Sequence, residues 1–347
     1  MTRLVDLDPI DPAHGALLED WVEVHNAAGR AVWGPRAQQV TAEEIRGTHR
    51  ATDERRTAWA AVDGSGRVVG AVVLIEPLRE NRDTAGMWLS VHPEHWRRGV
   101  GSLLLSHAEA AAAAAGRSRI HEHNGEPHEV PGPGTLFARR HGYRQVLLDL
   151  RSDLGLPLAT ERLEVLAAEA HDPSYVLETA WDELPEGWLE DRALLARRMS
   201  TDAPTGSVDL EEEDWDAGRL RERWARDRAQ GRRSVETVAR HVATGRLVGY
   251  TDLMVSPGTP DLAVQGDTLV LREHRGHRLG LALKVANLRA LQGALPHVTT
   301  LRTWNADTNT PMLAVNRRMG FEPTGVTREW LKDLAEPPGA GRLALAP

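Results

Sequence analysis

The chain has 347 residues, 41% hydrophobic and 27% charged, which is too long for one ordinary domain and leads us to expect two. It has no cysteine, which excludes disulfides, thiolate metal sites and a cysteine nucleophile. Its formal charge of −8 argues against sequence-independent nucleic-acid binding, which needs a basic surface, and is mildly compatible with a cationic substrate. No apolar run approaches the length of a membrane span, and the stretch from Met1 to Asp6 lacks a signal peptide's apolar core. The expectation is a cytoplasmic protein with no nucleic-acid or membrane partner, either a monomer or a homodimer.

Taken in order, Arg3 to Leu7 reads as a strand, followed by helical patterns at 13–26 and 42–49. Strands at 57–62 and 67–75 are joined by the turn Asp63-Gly64-Ser65-Gly66. A strand at 87–91, a basic turn and a helix through the alanine run 110–115 come next. A short strand at 119–122, a proline-rich loop, a helix at 136–141 stopped by Gly142 and a strand at 143–150 complete the first half.

The helical pattern at 156–171 belongs to neither half, so the expected boundaries are a first domain 1–155, a linker helix 156–172, a second domain 173–335 and a tail 336–347. The second half reads as strand 175–181, helix 189–199, helix 214–228 and strands 236–242, 246–255 and 264–271. Helix 281–294, strand 298–304, helix 311–319 and strand 321–327 follow.

The halves repeat each other. Arg67-Val68-Val69-Gly70 matches Arg246-Leu247-Val248-Gly249, and the same offset of 179 carries Val91, Glu94, His95, Gly101 and Leu104 onto Val270, Glu273, His274, Gly280 and Leu283. A domain-sized period means duplication. The feature in register is a strand, a basic glycine turn and a helix: Val91 to Ser102 in one copy, Val270 to Leu281 in the other. Such a turn offers unpaired backbone N–H groups and a helix dipole to a phosphate.

With this turn after the fourth of its strands, each half resembles the GCN5-related N-acetyltransferase (GNAT) family, and the second resembles tandem members of actinobacterial type. The resemblance covers nearly the whole chain. It implies an α/β fold of two tandem GNAT-like domains, each a mixed, mostly antiparallel sheet flanked by helices. It also implies acetyl-CoA as co-substrate, its pyrophosphate held by the turn. The family turn reads Arg/Gln-x-x-Gly-x-Gly/Ala. Arg275 and Gly280 fit it but Arg278 replaces the middle glycine; Gly99 and Gly101 fit it but Trp96 replaces the leading residue. A main-chain amide with negative φ needs no glycine, so Arg278 is expected to be tolerated.

Carried over residue by residue, the implied cofactor-binding positions are Val270, Leu271, Arg275, Gly276, His277, Arg278, Leu279, Gly280 and Leu281. In the first half they are Val91, Arg98, Gly99, Gly101 and Ser102. Asn305 and Asn309 follow the fifth strand, where the family contacts the pantetheine arm; turn formation and helix capping are the competing roles. The valine N–H is implied to polarise the thioester carbonyl.

For a base, Asp267 and Gln265 lie two apart and so are expected to share a strand face; the matching positions in the first copy are Trp88 and Gly86. Asp252 is another acid within an apolar run. These three are the catalytic candidates, with pairing to an arginine as the alternative for Asp267. Glu76 and Glu122 are weaker candidates in the first half. The tyrosine acid of many family members has Phe137 and Asn316 at its aligned places, and neither can protonate a thiolate.

The acidic run Asp209 to Asp216 reads as the first turn of a helix, or else as the mouth of a site for a cationic amine. His121, His123 and His128 read as surface residues; no metal is expected. Trp181, Trp188, Trp215 and Trp224 read as core or interdomain packing residues, with stacking of one of them on the substrate as the alternative.

The implied activity is acetyl-CoA-dependent N-acetylation of a small amine such as an antibiotic, amino sugar or related metabolite. The amine attacks the thioester directly, in the second half, with the first half degenerate. The alternatives are acetylation of a protein or peptide, and a non-catalytic CoA-binding module.

Overall fold

The computed structural model describes residues 1–127, 130–202, 206 and 210–334. His128, most of 203–209 and the tail 336–347 lie outside the described residues.

The first half runs β1 (Arg3–Leu7), α1 (Gly15–Trp33), α2 (Ala42–Thr48), β2 (Glu54–Val62), β3 (Val68–Pro77), β4 (Thr84–Val91), α3 (Val100–Ala114), β5 (Arg119–Glu126), α4 (Pro133–Arg140) and β6 (Arg144–Gly155). After the linker helix α5 (Thr160–Glu169) the order repeats: β7 (Tyr175–Trp181), α6 (Leu189–Asp202), α7 (Ala217–Ala229), β8 (Arg233–His241), β9 (Leu247–Val255), β10 (Leu262–Val270), α8 (Leu279–Ala294), β11 (Thr300–Ala306), α9 (Thr310–Met319) and β12 (Glu322–Asp333).

Local chemistry explains several of these limits. Thr41 and Glu44 form a reciprocal capping box that starts α2. Gly320, at φ 104°, closes α9 in the left-handed conformation. The acidic stretch is not the first turn of a helix: residues 210–216 carry no helix, and α7 begins only where the Asp216 side chain accepts from Arg219 N–H. A carboxylate that caps from outside wins over one that begins the spiral.

All strands join one twelve-stranded sheet, in the order β1-β2-β3-β4-β5-β12-β6-β11-β10-β9-β8-β7. Its centre shows an exchange. β12, the last strand of the second half, pairs antiparallel with β5 of the first, while β6, the last of the first half, pairs with β11 of the second. β6 and β12 pair with each other along the middle.

The repeated glycines Gly70 and Gly249 mark where a helix lies tightly on the sheet. A Cβ on Gly70 would come within 2.7 Å of Leu104 and 2.8 Å of Val100; one on Gly249 would meet Leu269 O at 2.8 Å and Leu283 at 3.3 Å. α3 and α8 thus settle onto equivalent strands and cover the two main apolar cores.

Two gaps open in the sheet. β4 and β5 are parallel but pair only from Thr84↔Arg119 to Gly86↔His121, and β10 and β11 only from Leu262↔Thr300 to Val264↔Arg302. Beyond those residues the strands part, and each basic turn stands at the open end.

Candidate active site

Both turns follow the same backbone path with glycine at different steps. Arg97 and Gly99 have φ of 62° and 83°; their counterparts Gly276 and Arg278 have 88° and 57°. Arg278 is therefore left-handed, contrary to the expectation of a negative φ, and the fold places one arginine and one glycine at this pair of left-handed steps in each copy. Alternating hand turns successive N–H groups to one side, which makes an anion-binding concavity.

The side chains of the second turn are drawn away from that concavity. Arg275 Nε donates to Val270 O at 3.0 Å, and its guanidinium pairs with Asp202 at 2.7 Å. His277 Nδ1 lies 2.7 Å from Asp172 Oδ2, and Arg278 donates to Glu169 O at 2.8 Å. The N–H groups from Gly276 to Gly280 have no backbone partner among the described residues. Trp96 holds the place of Arg275: its Nε1 donates to Val91 O at 2.7 Å. The leading residue thus serves to seal the strand's last carbonyl, which a tryptophan does as well as an arginine.

The strand valines face the gaps. Leu271 N–H donates to Val248 O and His92 N–H to Val69 O, so by antiparallel alternation the N–H groups of Val270 and Val91 point to the unpaired edge.

The mouths differ. Nothing lies within 4 Å of a Cβ built on Gly280, whereas one on Gly101 would meet the Phe137 ring at 3.2 Å. Ser102 Oγ lies 3.1 Å from His141 Nε2. Arg98 and Gly99 are exposed, while Leu279 and Leu281 belong to the core and Leu271 packs against it. Asn309 caps α9 by accepting from Met312 N–H at 3.3 Å, and Asn305 accepts from Asn316 Nδ2 at 2.5 Å.

The catalytic candidates do not all share a face. A bulge between Gln265 and Thr268 inserts a residue into β10, so Gln265 stands opposite Leu253 and Thr268 opposite Thr251. The unbulged first copy pairs Leu74 with Met87 and Val72 with Leu89. Gln265 thus corresponds to Met87 rather than Gly86, and Gly266 with Asp267 together replace Trp88. Gln265 turns inward to Thr251 Oγ1 at 2.9 Å and Asp252 O at 2.7 Å. Asp267 turns to the opposite side, where it accepts from Tyr250 Oη at 2.9 Å. A bulge breaks the period of two on which the shared-face reading depended.

Asp252 joins Asp267 on that side. Its Oδ1 accepts from Asp267 N–H at 2.9 Å, and its Oδ2 pairs with Arg223 at 3.2 Å. Burial pushes its carboxyl up to about 7; Arg223 opposes the shift and Asp267 adds to it. Gly266 is required there, since a Cβ would fall 2.4 Å from Asp252 Oδ2. Tyr250 lies under Arg192, whose guanidinium carbon is 3.4 Å from the ring centroid, and burial keeps the phenol protonated.

Asp267 opens into a pocket of about 270 Å³ between the halves. Glu211, Glu213, Trp215 and Met199 line it, and Asn81 on the loop after β3 reaches it from the first half. Asn81 and Glu211 exchange bonds of 2.8 and 2.9 Å, backbone to side chain in each direction. Glu211, Glu213 and Trp215 thus line this pocket, a place that sequence offered to the acids as its second choice and to one of the tryptophans as an alternative to packing. Trp188 and Trp224 are buried packing residues.

Among the remaining candidates, Glu76 is bound by Arg55 and Arg117, a structural ion pair. Glu122 is the first residue of β5 past its last pair with β4, and burial pushes its carboxyl up to about 8. His121 contacts Glu329 at 3.0 Å. Among the described residues no three His, Asp or Glu side chains gather as a metal site. No helix is long and apolar enough to cross a membrane.

Sequence did not single out Lys284. It is 2% exposed, and its Nζ donates to Asn316 Oδ1 at 2.7 Å. Burial lowers its pKa to about 7.

Residues 18–129, in the first half, match the model of the acetyltransferase (GNAT) family. A tandem GNAT protein from the clavulanic acid biosynthesis pathway superposes with a TM-score of 0.79 at 29% identity, covering 96% of this chain and 99% of that one. A GCN5-related N-acetyltransferase from Sphaerobacter thermophilus gives 0.63 at 17% identity over 96% of both chains. The N-myristoyltransferase of Saccharomyces cerevisiae shares the fold with a TM-score of 0.59 at 11% identity, covering 96% of this chain and 80% of that one. No curated protein sequence matches the chain. The recurring strand–turn–helix, the parted strands and these likenesses agree: residues 18–129 match the GNAT acetyltransferase family, and the chain as a whole is similar to a tandem GNAT protein.

Proposed function

We propose that the second half transfers the acetyl group of acetyl-CoA to a small amine. One observation carries this reading: among the described residues the N–H groups from Gly276 to Gly280 have no backbone partners at a helix N-terminus above parted strands, with Arg275, His277 and Arg278 anchored elsewhere and open space beside Gly280, whereas the equally free amides of the first turn are crowded by Phe137. A diphosphate fits that cradle.

Acetyl-CoA supplies the acyl group as a thioester. In this reading Val270 N–H polarises the carbonyl from the gap edge. Asp267 receives the amine's proton, with Tyr250 Oη fixing its carboxylate. Glu211 and Glu213 draw a cation into the pocket, and its volume suits a small acceptor.

The first half acts in this scheme as a wall and a packing partner. Phe137 lies against its turn at Gly101, and the loop after β9 is docked on it: Gln39 and Thr259 exchange bonds of 2.7 and 3.2 Å, and Gly258 N–H donates to Glu44. The setting implied is the cytoplasm.

Calorimetry with acetyl-CoA and a turnover assay over an amine panel test the reading. Gly280→Glu, which puts a carboxylate into the empty space beside the turn, is expected to remove a binding site and all turnover. Gly101→Glu is expected to keep turnover. Unchanged acetyl-CoA binding by Gly280→Glu overturns the assignment, and loss of turnover with Gly101→Glu alone reverses the roles of the halves.

A further inference from the structure

Lys284 is a buried amine with no carboxylate partner among the described residues. Its ammonium has three donors, and the structure gives it one partner, Asn316 Oδ1 at 2.7 Å. Asn316 in turn donates to Asn305 Oδ1 at 2.5 Å. The Phe321 ring lies over the ammonium, with its centroid 5.6 Å away. Charged groups on the surrounding elements are engaged elsewhere: Arg302 of β11 with Asp153, Arg318 of α9 with Glu169, Arg328 of β12 with Glu126. On the strands beneath α8, Glu236 is paired with Arg192, Asp252 with Arg223, and Asp267 with Tyr250. Burial is the sole cause of the lowered Lys284 pKa.

The duplication supplies an internal control. At an offset of 179, Lys284 corresponds to Leu105, which is 2% exposed in an apolar core. At 178, the offset set by Gly142 and Gly320, Asn316 and Phe321 correspond to Ala138 and Tyr143 of that core, so Asn316 matches Ala138 and not Phe137. That copy closes over this spot with a balanced pair instead: Lys332 Nζ lies 5.4 Å from the Tyr143 ring centroid and donates to Glu109 Oε1 at 2.6 Å. A lone buried ammonium is costly, so its presence in one copy alone points to chemistry.

Its position says which chemistry. Lys284 lies one helical turn past Gly280, roughly 6 Å along the axis from the amide cradle. Asn305 lies three residues beyond Arg302, the last residue of β11 that pairs with β10. The Lys284–Asn316–Asn305 chain thus runs from α8 through α9 to the parted edge. Resting on the assignment of acetyl-CoA to this cleft, we propose that Lys284 is the proton donor to the sulfur of coenzyme A as the thioester C–S bond breaks.

The step balances. The acceptor arrives as an ammonium and loses one proton before its nitrogen attacks the carbonyl carbon. It loses a second as the amide forms, both by way of Asp267. The C–S bond breaks with its electron pair on sulfur, and a Lys284 Nζ proton makes the S–H bond. One acceptor proton restores the Lys284 ammonium and the other leaves to solvent.

The chain has no cysteine, so coenzyme A is the only thiol in a mixture of the two. Thiolate absorbance against pH, on coenzyme A bound to wild type, Lys284→Met and Lys284→Leu, reads the sulfur directly. Desulfo-coenzyme A, titrated calorimetrically, reports the integrity of the site. The expected result is about tenfold more bound thiolate in wild type than in the variants near pH 7 and below, where Lys284 keeps its proton, the excess fading at higher pH. Desulfo-coenzyme A affinity should stay within about twofold. Equal thiolate fractions there overturn the proposal while leaving the cleft assignment standing. Loss of desulfo-coenzyme A binding in both variants makes Lys284 a structural residue and also overturns it. Failure of wild type to bind either coenzyme overturns the cleft assignment itself.

Discussion

Asp267 is the residue on which the proposed chemistry turns, because it alone joins the pocket to the bulged strand. Asp267→Asn keeps an acceptor for Tyr250 Oη and removes the charge. Turnover is expected to fall by about 10²- to 10⁴-fold with acetyl-CoA affinity nearly unchanged. A raised KM for the amine at constant kcat would instead make Asp267 a binding group. Asp252 yields a prediction about stability. Burial raises its folded pKa above the ordinary carboxylate value of about 3.9, so from there up to its folded value of about 7 the folded state holds more protons than the unfolded. Stability should therefore fall as pH rises through that window, and Asp252→Asn should flatten the fall. Urea unfolding at pH 5 and pH 8 measures it; an unchanged pH dependence in the variant refutes it. Both carboxylates were visible in the sequence as acids breaking apolar strands. Their geometry was not, because one inserted residue at Gly266–Asp267 shifts the register without changing the composition. Lys284 was invisible for a related reason: a single lysine in a helical pattern looks solvated until the facing helix is in place.

At the scale of elements, the repeated Arg-x-Val-Gly motif has a physical cause. Gly70 and Gly249 are the points where α3 and α8 come down on the sheet. Gly249→Val would put a Cβ 2.8 Å from Leu269 O, a backbone atom that cannot step aside. It should destabilise the protein by roughly 1–3 kcal/mol, readable as a lower urea midpoint; an unchanged midpoint would mean that α8 is free to shift. Helix and strand order was legible almost throughout, since periodicity and capping residues are local signals. The stretch 210–216 was misread as helix because acids near a helix start attract its dipole whether they lie inside it or just outside. The turn was legible as a break between strand and helix, but which residues would be left-handed was not: glycine marks only one such step per copy, and an arginine occupies the other.

The exchange of β6 and β12 belongs to the whole molecule. No local pattern in either strand states which partner it takes, since both partners offer a similar edge, and the sequence accordingly suggested two separate sheets. Residues 1–155 alone would leave β5 without β12, and β6 without β11 and β12. Each half expressed singly is therefore expected to aggregate, and the two co-expressed to assemble as one soluble complex; a monomeric, cooperatively melting first half would contradict this. The family signature at 18–129 falls in the half that we assign a supporting role, so recognisable sequence and proposed catalytic work separate along the chain. A mechanical consequence follows from the exchange. The far wall of the first gap, β5, is stitched to β12, which leaves α9 of the second half after two residues, and the far wall of the second gap, β11, is stitched to β6. A guest that pries one pair of strands apart must lever against a strand rooted beside the other opening. The two crevices share a common spine and cannot breathe independently.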